Sequence, residues 1–197
     1  MKGWYFKDNK NQSHYASRRI IDALDYANGP ILCHVDFSGK LNKYDRRYLI
    51  EDCRILKRKD VSSFLHEFAR KCALHVAHLW DIPNDVREFL LTGKGDRKEI
   101  KRLAIDAVNV SLSPLSLWTS TNIAARSAAQ NAIIEKSWEA ARSAAFASMR
   151  AIANTAIIGF PYISGEERLF NDKQASIYAQ SFKNTRKKYN QWLNKLK

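Results

Sequence analysis

Disulfide chemistry has almost nothing to work with in this chain of 197 residues. Its three cysteines, Cys33, Cys53 and Cys72, are an odd set without paired spacing, which excludes a disulfide framework and points to free thiols packed as small hydrophobic groups in a reducing compartment. Long apolar runs are also missing. No stretch approaches the length of a membrane span, and the opening MKGWYFKDNKNQ lacks the apolar segment of a secretory signal. The expectation is a cytoplasmic protein with no membrane partner. Several catalytic signatures are absent too. GKGD at 93–96 has neither the Lys-Ser ending nor the preceding strand of a phosphate loop, and no Ser-His-Asp or Cys-His set can be assigned from spacing. These absences favour a non-enzymatic role with no cofactor.

The other scarcity is of negative charge. Thirty-three Lys and Arg face 20 Asp and Glu, a net charge of +13. A balance this basic attracts polyanions such as nucleic acid, an acidic protein or a nucleoprotein complex, although solubility alone could also account for it. Hydrophobic residues make up 45% of the chain, enough for a real core in one large domain or two small ones.

Residues 17–27 carry a helical pattern, with Ile20, Ile21, Leu24 and Ala27 on one face and Ser17 placed to cap it. Asn28-Gly29-Pro30 reads as a stop and turn, with Gly29 supplying positive φ. ILCHVDF at 31–37 alternates as a half-buried strand, with Ile31, Cys33, Val35 and Phe37 on one face and Leu32, His34 and Asp36 on the other. Ser38-Gly39 then turns the chain, and YLIEDCRIL at 48–56 is the pairing strand. It too alternates, with Leu49, Glu51, Cys53 and Ile55 opposed to Tyr48, Ile50, Asp52 and Arg54.

After Asp60 the apolar spacing becomes three and four, through Phe64, Leu65, Phe68, Cys72, Val76, Leu79 and Trp80, predicting a helix capped by Asp60. A short helix ends at Gly93, Asp96 caps the next, and residues 116–156 are alanine-rich, predicting closely packed helices. AARSAA occurs at 124–129 and again at 140–145, an offset that fits no standard solenoid period. Residues 159–167 read as a loop. The last segment is an amphipathic helix with a stripe of Tyr178, Phe182, Tyr189, Leu193 and Leu196. The fold expected is α+β: an N-terminal β-hairpin with one helix (1–59), a helical bundle (60–158), and a loop with a basic C-terminal helix (159–197).

Cys72, His75 and His78 stand three apart, a spacing that can gather metal ligands on a helix. Successive i+3 steps drift around the helix, however, and no fourth ligand is evident, so they read as packing residues. Asp22 and Asp25, beside Arg18 and Arg19, read as a solvated face. The positive charge is clustered. Between 40 and 59 there are eight basic residues against three acidic, and between 172 and 197 seven against one. Candidate contacts to a nucleic acid or acidic partner are Lys40, Lys43, Arg46, Arg47, Lys57, Arg58 and Lys59 in the first cluster. In the second they are Lys183, Arg186, Lys187 and Lys188, which stand away from the aromatic stripe. Each phosphate contact would add about one unit to the salt dependence.

HYASRRIIDALDYANGPILCHVDFSGKL, FARKCALHVAHLWDIPNDVREFLLTGKGD and the alanine-rich segment, in that order, resemble an uncharacterised family found in bacteriophages and prophages. The likeness covers roughly residues 14–150 and leaves out the basic C-terminal helix. Tyr15 stands between the His and Ala of the family's His-Ala-Ser segment. The resemblance implies a virus-derived accessory protein that inhibits a host nucleoprotein or immune system, as anti-CRISPR proteins do. It brings no catalytic residue. The N-terminal helix-turn-strand also resembles part of an ADP-ribosyltransferase, where a His and a Tyr hold NAD. That reading names His14 and Tyr15, with Asp36 or Asp45 as polar partner.

Overall fold

The computed structural model describes residues 1–8, 15–42, 47–107, 117–158 and 167–196. Four antiparallel strands, β1 (Lys2–Lys7), β2 (Tyr15–Ala16), β3 (Ile31–Asn42) and β4 (Arg47–Asp60), lie in the order β1-β3-β4-β2. Trp4 and Ser17 exchange backbone hydrogen bonds of 2.8 and 2.9 Å. The two outer strands therefore meet, and the sheet curls into a small closed barrel. That bridge covers part of the strand edge that the expected hairpin would leave open. The curl also gives the barrel its own interior, where Tyr5, Ala16, Cys33, Val35, Phe37 and Tyr48 are buried.

The alternation expected for β3 holds, but that expected for β4 does not. Register shifts between His34 and Val35 and between Ser38 and Gly39 leave Leu56 and Glu51 without cross-strand partners. Each extra residue reverses the facing of the residues beyond it. As a result Tyr48, Ile50 and Cys53 turn to the interior together, while Leu49 is exposed.

Gly39 does not turn the chain; it lies inside β3, where a Cβ would stand 2.0 Å from the Leu49 carbonyl oxygen. Gly29 does not use positive φ either, which among the described glycines occurs only at Gly93 and Gly95. A Cβ on Gly29 would meet the Lys7 oxygen and Asp8 nitrogen at 2.3 Å. Both positions need close backbone approach, not a left-handed turn.

Helix α1 spans only Ile20–Leu24, with Arg19 at its N-cap and no side-chain cap. Ser17 is spent on barrel closure, so it cannot start the helix. The remaining helices are α2 (Ser62–His75), α3 (Asn84–Thr92), α4 (Arg97–Asp106), α5 (Leu117–Ala132), α6 (Ser137–Ile158) and α7 (Glu167–Leu193). Asp60 accepts hydrogen bonds from the Ser62 amide (2.8 Å) and hydroxyl (2.6 Å), and Asp96 accepts from the Lys98 amide at 2.9 Å. Both aspartates satisfy helix-start donors, Asp60 from two positions upstream of α2. Gly93 ends α3 in the left-handed conformation.

Helix α6 is the axis of the helical layer, packed against α2, α5 and α7. The two AARSAA copies fall on α5 and α6. Ala124, Ala125, Ala128 and Ala129 are buried, as are Ala140, Ala141, Ala144 and Ala145; the repeat is the small-residue seam between adjacent helices. One continuous core joins Phe6 and Leu32 of the barrel to α1, α2, α5, α6 and the end of α7.

Candidate polyanion-binding surface

The strand register arranges the outer face of the barrel in rows. Trp4 lies opposite His34, and His34 opposite Lys57. The Trp4 and His34 rings stack with centroids 4.4 Å apart and planes 18° from parallel. The next row is Lys2, Asp36 and Arg54, and the row before is Phe6, Leu32 and Lys59. Phe6 and Leu32 are covered by the helical core, while Lys2, Arg54, Lys57 and Lys59 are exposed. The one acid in these rows, Asp36, accepts from the Met1 amino group at 3.1 Å and has Arg54 at 3.9 Å. Those contacts, the amino-group bond foremost, hold its carboxyl below the usual range. A half-covered aromatic pair thus sits among lysines and an arginine that keep their positive excess.

The expected contact residues divide unevenly. Lys40 is almost fully exposed and 3.8 Å from Glu51, and the register puts it on the same outer face. Lys57 and Lys59 belong to the rows described. Arg58 is exposed but faces the other way, opposite Cys33. Arg47 is a correction: its guanidinium lies over the rings of Tyr15 (4.0 Å) and Tyr26 (4.4 Å), locking β4 to β2 through cation–π contact. Lys43 and Arg46 lie outside the described residues.

In the second cluster Lys183 and Lys187 are exposed on α7. Arg186 is not part of a free ridge. It is mostly buried, donates to Asp22 at 2.9 Å and bonds Asp25, so the two aspartates read as a solvated face are its anchor. Lys188 is committed as well. Its Nζ lies 2.9 Å from His75 Nε2 and its charge sits over Trp192.

An ammonium group only donates, so His75 Nε2 accepts from Lys188 and the ring proton sits on Nδ1, which donates to Tyr189 Oη at 3.1 Å. Burial, then the Lys188 charge, holds the His75 pKa below its ordinary value. Burial pushes the Cys33, Cys53 and Cys72 thiols up, most strongly Cys72. None of the three is therefore a poised nucleophile. Among the described residues no group of three His, Cys, Asp or Glu is arranged to hold a metal. For the NAD reading, Tyr15 is covered by Arg47, Asp36 is engaged with the Met1 amine, and His14 and Asp45 lie outside the described residues.

Sequence reasoning missed Lys2 and Trp4, because residues 2–7 were not recognised as a strand. The signal was there in the alternation of Lys2, Trp4 and Phe6 with Gly3, Tyr5 and Lys7. No described helix is long and apolar enough to cross a membrane. No protein-family model matches the chain, and no curated protein or solved structure matched it in comparison.

Proposed function

We propose that the outer face of the barrel is a non-enzymatic docking surface for a nucleic-acid strand. The observation that supports this is the row Trp4–His34–Lys57, flanked by Arg54 and Lys59. Cations neutralise phosphates, and an aromatic pair that is partly open to solvent can stack on a base of any kind. The resemblance to phage and prophage proteins adds a setting. The chain would act as a virus-encoded accessory protein that occupies nucleic acid, or the nucleic-acid path of a host nucleoprotein such as a bacterial immune complex.

The test is fluorescence anisotropy of short single- and double-stranded DNA across a salt series. Binding should weaken steeply with salt, and Arg54→Gln/Lys57→Gln/Lys59→Gln should flatten the log–log slope on single strands by about two units. Salt-insensitive binding, or a triple variant that binds as the parent does, overturns the proposal.

A further inference from the structure

Away from the barrel, α5 and α6 frame an open cleft of about 620 Å³, within the roughly 300–1,000 Å³ typical of small-molecule sites. The α6 wall presents Arg142, Phe146 and Arg150, each four residues from the next and so on one helical stripe. Along the α5 wall, Ser120, Ser127 and Asn131 supply hydroxyl and amide groups on either side of Ile123.

Phe146 is 52% exposed and Ile123 53%, and both of these large apolar side chains line the cleft. The Phe146 ring is nonetheless held in place. It meets Phe182 of α7 edge-on at 5.9 Å, and Phe182 stacks on Tyr178. A fixed, half-bare ring is suited to receive a second flat ring.

The two charges differ in their surroundings. Arg142 donates to the Asp25 backbone oxygen at 3.4 Å, and its charge acts together with Arg186, which bonds the Asp25 carboxylate at that end of the cleft. Among the described residues neither Arg142 nor Arg150 forms an ion pair. The backbones of Arg142 and Arg150 stand about 12 Å apart along the helix, at 1.5 Å per residue, on either side of Phe146. A guanidinium presents a planar fork that matches phosphate and carboxylate alike.

We propose that this cleft binds a small organic anion in which a phosphate or carboxylate is joined to a flat ring, with Arg150 holding the anion and Phe146 the ring. The polar groups of α5 serve the ring's edge. The site is separate from the barrel face and does not depend on nucleic-acid binding.

Isothermal titration with AMP and with indole-3-acetate tests the two anion chemistries. Adenosine and inorganic phosphate, each lacking one half of the pharmacophore, serve as controls. Saturable binding of either ring-bearing anion with Kd below about 1 mM, at least about tenfold tighter than both controls, is expected. AMP alone assigns the site to phosphates, and indole-3-acetate alone to carboxylates. Arg150→Gln and Phe146→Ala should each weaken binding about tenfold or more. Should Phe146→Ala disturb α7 packing, Ser127→Leu, which fills the opposite wall, should abolish binding while leaving the melting curve intact. Absence of binding to both ring-bearing anions, or binding unchanged in Arg150→Gln and Ser127→Leu, overturns the assignment.

Discussion

Arg186 donates from Nε and Nη2 to one carboxylate oxygen of Asp22, at 3.1 and 2.9 Å, across 164 positions of sequence. This contact fastens α7 to the short helix beside the barrel. Asp22 also takes two bonds from Arg19, at 2.5 and 2.8 Å, so the carboxylate is saturated. Burial works against the Arg186 charge, but Asp25 and Asp22 together outweigh it and hold the guanidinium more firmly protonated. Arg186→Met should lower stability by about 3 kcal/mol in urea unfolding, the low end for breaking a buried pair because Arg19 still covers Asp22. A loss under about 0.5 kcal/mol would return Arg186 to the solvent face.

Gly39 supports a second prediction. Its position in β3 beside the bulge at Glu51 leaves no room for a side chain, since the Leu49 carbonyl oxygen occupies the place of a Cβ. Gly39→Ala should destabilise by about 3 kcal/mol or more, because backbone cannot yield as a flexible side chain can. Gly95→Ala is the comparison. Its nearest neighbours are side-chain atoms at 3.6 Å or more, so its cost is confined to the positive φ, about 1–2 kcal/mol. Equal midpoints for the two variants would show that β3 and β4 are not in this register.

The helical half was the more legible. Leu65, Phe68, Cys72, Val76, Leu79 and Trp80 are all buried, because apolar periodicity is a local property, but the single helix expected through Trp80 ends at His75, with a 3-10 turn at Ala77–Leu79 and Trp80 extended. The barrel was less legible because its closure is not local. Trp4 meets Ser17 only after the sheet curls, and two bulges invert the facing of β4 in ways alternation cannot register. Charge clusters misled for a related reason. Arg186 and Lys187 are neighbours in sequence, yet one is buried against Asp22 and the other exposed. A helix turns each residue through about 100°, so a run of cations cannot all share one face. The AARSAA repeat carries the same lesson. Its first arginine, Arg126, is buried beside Trp80, while the equivalent Arg142 lines the cleft.

The pH dependence of stability arises from two histidines. His66 is held below its ordinary pKa by burial first, then by Arg97 and Arg70; His75 is held there by burial, Lys188 and His78. In the unfolded chain both titrate near the ordinary value of about 6.5. Between each folded value and that value the unfolded chain binds more protons, so stability rises with pH through this window. The contribution is complete above about pH 7 and is lost as acid protonates the folded rings. Protonation of His75 also forces Nε2 to abandon Lys188 and sets two cations face to face. Urea midpoints should therefore fall between about pH 7.5 and pH 5.5. The double variant His66→Asn/His75→Asn should be less stable at the higher pH yet nearly flat across the interval. Lys188→Met should reduce the His75 share without removing it, since burial still disfavours the charged ring once the cation is gone. If the double variant keeps the parental slope, the pH dependence arises from other groups, and the Lys188–His75–Tyr189 chain does not hold a neutral imidazole.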